Sequence, residues 1–153
     1  MYWGEHLVNL AWSEDGYNWH PLLDEKGELL AVARTRPGYF DSELTECGPP
    51  AIVTDKGIVL LYNGKNATNA DADPSIPKGS YTVGQLIFDP RDPRKLLSRS
   101  DKPFLQPSLP HERTGQYAAG TCFAEGLVYF RQRWWLYYGT ADSFVGLAVQ
   151  EAR

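Results

Sequence analysis

The chain has 153 residues, 42% of them hydrophobic and 22% charged, the makeup of one soluble globular domain able to bury a core. Its net charge of −4 and the absence of any basic run argue against a nucleic-acid partner. No apolar stretch approaches the roughly 18 residues that suggest a membrane span.

The N-terminal Met1-Tyr2-Trp3-Gly4-Glu5-His6 has neither a basic start nor a long apolar run. No signal peptide is expected on this chain, and the compartment stays open. The run from His6 to Ser13 alternates imperfectly and predicts a strand, with Glu14-Asp15-Gly16 as its turn and Trp19 to Leu23 as its return. Ser13-Glu14-Asp15-Gly16-Tyr17-Asn18-Trp19 has the form of a hairpin common in β-propeller blades, where the Trp packs between blades. Gly27 to Ser42 reads as a longer connection.

Thr45-Glu46-Cys47 reads as an acidic loop before Pro49-Pro50, which enforce an extended entry because proline locks φ and restricts its predecessor. Ala51 to Thr54 and Ile58 to Tyr62 predict a hairpin around Asp55-Lys56-Gly57. The polar residues at its ends, Glu46 and Asn63, with Lys65 and Asn66, mark the place where chemistry is expected to gather. Gly64 to Gly79 reads as an exposed loop, and Asp71 and Asp73 as solvated turn carboxylates rather than a calcium loop. Tyr81 to Phe88 predicts a strand, Lys95 to Ser98 its return, and Ser100 to Thr114 a proline-studded crossing. Thr121 to Phe130, Trp134 to Tyr138 and Phe144 to Gln150 predict three further strands.

No helical periodicity emerges, so the expected class is all-β, arranged as antiparallel sheet units of about 40 to 70 residues. Two to three such units fit one partial β-propeller domain over residues 1–153, short of the four to eight blades of complete propellers. Exposed blade edges then invite self-association. Cys47 and Cys122 are expected as free thiols, and with His6, His20 and His111 scattered, neither metal nor cofactor is expected. The aromatic content of 13%, with five Trp and nine Tyr, fills cores and permits a sugar-stacking site.

A resemblance rests on motifs in order. They are Gly48-Pro49-Pro50-Ala51-Ile52, Leu60-Leu61-Tyr62-Asn63-Gly64, Tyr81-Thr82-Val83-Gly84 and Arg99-Ser100-Asp101-Lys102-Pro103-Phe104-Leu105-Gln106-Pro107, then Phe123-Ala124-Glu125-Gly126-Leu127-Val128 and Tyr137-Tyr138-Gly139-Thr140-Ala141-Asp142. Together they resemble the C-terminal part of glycoside hydrolase family 130, five-bladed β-propellers acting on β-mannosides as inverting phosphorylases or as hydrolases. The resemblance implies a general-acid aspartate in N-terminal blades that nothing here matches, so the chain is expected to be inactive alone.

Family phosphorylases usually carry a phosphate-binding histidine where this chain has Asn63, and phosphate needs donors and positive charge. Here Asn63 is neutral while Glu46 and Glu125 add negative charge, and carboxylates can activate water. The resemblance therefore implies the hydrolytic branch, similar to Bacteroides-type β-mannosidases, acting on mannose-containing oligosaccharides. The alternatives are a mannosyl phosphorylase using inorganic phosphate, or a non-catalytic carbohydrate-binding half-propeller.

Glu46 and Glu125 are the expected base or water-positioning pair. Glu125 stands out as a carboxylate amid apolar strand residues, costly there unless partnered, for instance by Arg131, Arg133 or Lys65. Asp142 matches a family aspartate at mannose hydroxyls, against the alternative of a turn aspartate capping its own backbone. Asn63, Tyr138 and Trp3 complete the expected substrate contacts, Tyr138 as core or wall and Trp3 as sugar platform or packing.

Overall fold

Glycine and proline punctuation divides the chain into twelve strands, and a computed structural model describes residues 1–151. The strands are β1 (Tyr2–Trp3), β2 (Val8–Trp12), β3 (His20–Pro21), β4 (Ala31–Ala33), β5 (Leu44–Cys47) and β6 (Ile52–Thr54). They continue as β7 (Gly57–Lys65), β8 (Tyr81–Phe88), β9 (Leu96–Arg99), β10 (Phe123–Phe130), β11 (Arg133–Thr140) and β12 (Phe144–Val149). One 3-10 turn, Pro110–Arg113, is the only helical element among the described residues.

Three antiparallel sheets result, consistent with an all-β partial propeller. The first runs β1-β2-β3 with β4 also beside β2, the second β5-β7-β8-β9 with β6 beside β7, and the third β10-β11-β12. Because β5 and β6 share one edge of β7, the second sheet is a four-strand blade whose first strand is interrupted. The interruption is Gly48 to Ala51, where Pro49 and Pro50 cannot donate to a ladder. The segment expected as an acidic loop is therefore strand: Thr45, Glu46 and Cys47 pair with Gly64, Asn63 and Tyr62.

The two-residue period of β7 and β8 sends alternate side chains to opposite neighbours. Leu60, Tyr62, Leu86 and Phe88 join Val8, Ala33 and Phe40 in a core between sheets one and two. Val83 joins Cys122, Ala124, Leu136 and Tyr138, with Leu61 packed against them, between sheets two and three. Burial on both faces explains the unbroken apolar run Ile58 to Tyr62. At Gly84 the rings of Phe40 and Tyr62 close over the backbone, and a Cβ there would lie 2.5 Å from the Phe40 ring.

A buried ion cluster locks the first interface. Asp41 is fully buried and accepts three hydrogen bonds from Arg36 Nε and Nη2 at 3.0–3.3 Å, one from the Tyr62 hydroxyl at 2.6 Å, and one from Arg99 Nη2. The loop after β7 is less exposed than its composition suggests. Asn66 is fully buried, its amide donating to the carbonyls of Asp73, Ile76 and Pro77, and Ala67 and Ala72 are buried with it. The hairpin Ser13 to Trp19 forms as predicted, but Trp19 stays 41% exposed and turns its indole N–H back to the Gly16 carbonyl.

Candidate functional site

The cross-strand pair Glu46 and Asn63 places both side chains on the face of sheet two that looks toward sheet three. Between those sheets lies a cleft of about 250 Å³, lined by Glu5, Leu44, Glu46, Tyr81, Tyr117, Thr121, Phe123, Glu125, Gly139 and Asp142. Whole ligand pockets run to roughly 300–1,000 Å³, so this volume suits part of a site. The larger cavity, about 710 Å³ between sheets one and two, is mostly apolar and holds no carboxylate.

Glu46, Glu125 and Asp142 thus meet in one place, from β5, β10 and the β11–β12 turn. Sequence reasoning did not single out Glu5, which joins them from the β1–β2 loop. Tyr81, Tyr117 and Phe123 supply the aromatic wall, with Tyr81 edge-on to Tyr117 at 5.5 Å between centroids. Among the described residues no lysine or arginine lines the cleft. Lys65, the nearest cation along β7, is held by Glu43 at 2.7 Å.

This crowding of carboxylates acts on Glu46. Burial raises its pKa first, the Glu5 and Glu125 charges raise it further, and His6 partly offsets them. A base whose proton affinity is lifted toward working pH is better matched to proton abstraction.

Glu125 reaches the cleft by a different route from the one its sequence context suggests. The ladder to β11 shifts register between Ala124 and Gly126, leaving Glu125 as the extra residue of a β-bulge. A bulge re-aims a side chain, and this one leaves Glu125 exposed rather than buried among apolar neighbours. The burial argument for Glu125 is thereby corrected, and among the described residues no ion pair to Arg131, Arg133 or Lys65 forms. Asp142 is exposed, with φ +55° beside Ala141 at +49°. Among the described residues its carboxylate accepts no backbone N–H; the turn closes instead through the Ser143 N–H on the Thr140 carbonyl at 3.0 Å.

Three expected substrate contacts fall elsewhere. Asn63 is fully buried, its Oδ1 accepting the Ala124 N–H at 2.6 Å and its Nδ2 donating to the Ala124 carbonyl at 3.2 Å. Tyr138 is 5% exposed, and its hydroxyl donates to the buried Glu112 carboxylate at 2.7 Å. Trp3 is partly buried, its indole N–H unpaired, and it does not line the cleft. In each case packing between sheets decides the outcome, which residue type alone does not reveal.

The two cysteines are free, and burial pushes both thiols up to about 12, away from reactivity. Among the described residues no group of three or more His, Cys, Asp or Glu is placed to hold a metal ion.

A family model described as beta-1,4-mannooligosaccharide phosphorylase matches residues 1–153. The structure superposes on a candidate glycoside hydrolase from Parabacteroides distasonis at TM-score 0.96 and 58% identity, covering 99% of this chain and 44% of that one. It superposes at TM-score 0.93 and 51% identity on a member of the GH130 mannoside phosphorylases, described as containing hydrolases that target β-1,2-mannosidic linkages in Candida mannan. That match covers 97% of this chain and 41% of that one. A 1,2-beta-oligomannan phosphorylase from Thermoanaerobacter is 29% identical over 144 residues, 94% of this chain and 43% of its own length. The chain thus spans less than half the length of these relatives. By the family match over its whole length, and by the propeller blades it shares with those relatives, the chain belongs to glycoside hydrolase family 130.

Proposed function

We propose that the chain is one segment of an inverting β-mannosidase, in which Glu46 and Glu125 hold and activate the attacking water. The observation that carries this reading is the charge of the cleft. Among the described residues four carboxylates line it and no Lys or Arg does. A phosphate anion placed among them meets repulsion with no compensating donor cations, whereas water bound to a carboxylate gains basicity. Inversion needs one carboxyl to protonate the leaving oxygen and another to activate water on the opposite face of the ring. In this reading the acid comes from the part of the relatives that this chain does not span, so the chain alone does not turn over.

Asp142 is read as a hydroxyl acceptor for the bound mannose, since its carboxylate is exposed at the cleft and, among the described residues, accepts no backbone N–H. Tyr81, Tyr117 and Phe123 offer apolar faces to a sugar ring. The 51% identity to the β-1,2-mannoside relative supports this branch over the phosphorylases at about 30%.

The test is product analysis on β-1,2- and β-1,4-mannobiose, with and without phosphate. It uses the chain alone and the chain co-expressed with the portion of the Parabacteroides relative that it does not match. Phosphate-independent release of mannose by the combined form is the expected result. Phosphate-dependent mannose 1-phosphate overturns the hydrolase reading, and sugar binding without turnover favours a binding module.

We also infer self-association through the third sheet. Val128, Tyr137, Val145 and Leu147 share its outer face and are 40–76% exposed, and among the described residues β12 pairs only with β11. Contiguous exposed apolar faces and open edges seek partners. Sedimentation is expected to show concentration-dependent assembly that Val145→Lys abolishes; a monomer at high micromolar concentration overturns this.

A further inference from the structure

We propose that Asn63 is a positioning residue that fixes Glu125 relative to Glu46, a role that rests on reading those two carboxylates as the water-activating pair. Asn63 touches neither carboxylate and, fully buried, no solvent either. What it holds is the main chain one residue before the bulge: both the N–H and the carbonyl of Ala124 are taken by its amide, at 2.6 and 3.2 Å.

A carboxamide offers one acceptor and an N–H donor in the same fork as a peptide group. Asn63 therefore serves β10 as one link of a neighbouring strand, at the edge that β11 does not cover. The position of this link matters because a bulge interrupts the regular ladder and leaves its extra residue unpaired. Here the extra residue is Glu125, and pinning Ala124 fixes where it projects. On its other side Asn63 is the direct cross-strand partner of Glu46. The path from one carboxylate to the other is thus Glu46, the β5–β7 ladder, the Asn63 amide, Ala124 and Glu125, and it crosses from blade to blade through one side chain.

Chemistry at the pair depends on that path, since a misplacement of about 1 Å at a reacting group can cost roughly 100-fold in rate. An apolar residue of similar size would fill the space but leave the N–H and carbonyl of Ala124 unpaired. Aspartate keeps the shape and removes the donor.

The experiment follows the side-chain carboxyls of Glu46 and Glu125 by carbon-13 NMR titration in this chain, for the wild type, Asn63→Asp and Asn63→Ala. Glu5, His6 and Glu125 are the charged neighbours of Glu46, so Glu5→Gln is run as a control for the contribution of the loop. Core methyl signals of Val83 and Leu136 report whether each variant keeps its interface. The expected result is a Glu46 titration that moves toward that of an ordinary glutamate in folded Asn63→Ala, as Glu125 is released; in Asn63→Asp the added carboxyl beside Glu46 raises it instead. In whichever form turns over mannobiose, kcat is expected to fall ~10- to 100-fold with KM changed less than about threefold.

An unmoved Glu46 titration in a folded variant overturns the proposal. So does a raised KM with kcat preserved, which would return Asn63 to the substrate. If the combined form with Asn63 intact shows no hydrolysis but the Glu46 titration of the chain still depends on Asn63, the positioning role is supported and the hydrolase reading falls.

Discussion

The Tyr138 hydroxyl donates to Glu112 Oε1 at 2.7 Å, deep beneath the turn that carries Asp142. The other Glu112 oxygen accepts the Ser108 and Leu109 N–H groups, each at 2.7 Å. A carboxylate with 1% exposure thus ties the proline-rich crossing to the third sheet and has three donors to offset its burial. Tyr138→Phe removes a hydrogen bond to a charged group and is expected to cost about 1.5–3 kcal/mol in urea unfolding. Mannoside binding is expected to be unchanged, because the hydroxyl faces the core; weakened binding in a folded variant would return Tyr138 to the site.

Glu112 and Glu46 give opposite pH dependences. Burial pushes Glu112 up, but bonds from Leu109, Tyr138 and Ser108 outweigh it and leave its pKa below the ordinary value of 4.5. Its contribution to stability is present above 4.5 and is lost as pH falls through the lowered value. Glu46, raised above 4.5, makes the folded state the better proton binder, so stability falls as pH rises from 4.5 through its raised value. Glu46→Gln is expected to remove that slope and stabilise the chain at neutral pH by about 0.5 kcal/mol. It is also expected to abolish hydrolysis in the active form. Thermal melts across pH check the first outcome and product assays the second.

At the first interface, Asp41→Ala strands Arg99, 9% exposed, beside the Tyr62 hydroxyl, while Arg36 keeps Asp101 at 3.7 Å. Leaving this buried cation unpaired is expected to cost about 3–5 kcal/mol, read as a lowered urea midpoint. A loss under 1 kcal/mol would show that water reaches the cluster and replaces the carboxylate.

Gly84→Ala drives a methyl into the Phe40 and Tyr62 rings, which lie 2.5–2.8 Å from its ideal position. Over-packing of this kind is expected to cost about 1–3 kcal/mol. Gly16→Ala is the comparison: nothing lies within 4 Å of the added methyl there, and the cost is only that of its φ of +75°.

Asp142 adopts φ +55°, a conformation that disfavours side chains other than those of Asn and Asp. Asp142→Gly is expected to stabilise by up to about 1 kcal/mol while weakening mannose binding about tenfold, a trade that calorimetry and melting together detect. Stabilisation with unchanged binding would remove Asp142 from the sugar site.

Much of the fold could be read along the chain because its determinants are local. Asp55-Lys56 turns the β6–β7 hairpin, alternation sets β8 at Tyr81–Phe88, and short polar turns separate β10, β11 and β12. Motif order pointed to the family, and it also pointed to Glu46, Glu125 and Asp142, which the structure brings to one cleft. What stayed hidden depends on partners far away in sequence. Arg99 reaches Asp41 across 58 residues, Asn63 reaches Ala124 across 61, and Glu5 meets Glu125 only where sheets one and three converge on sheet two. Asn63, Tyr138 and Glu125 show the difference most plainly. Their residue types are polar in every context, but whether such a group faces water or core depends on which sheet packs against it and where the ladder bulges. Local sequence determined the strands and their turns; only the packing of one sheet on the next decided which polar groups hold the blades together and which remain free for chemistry.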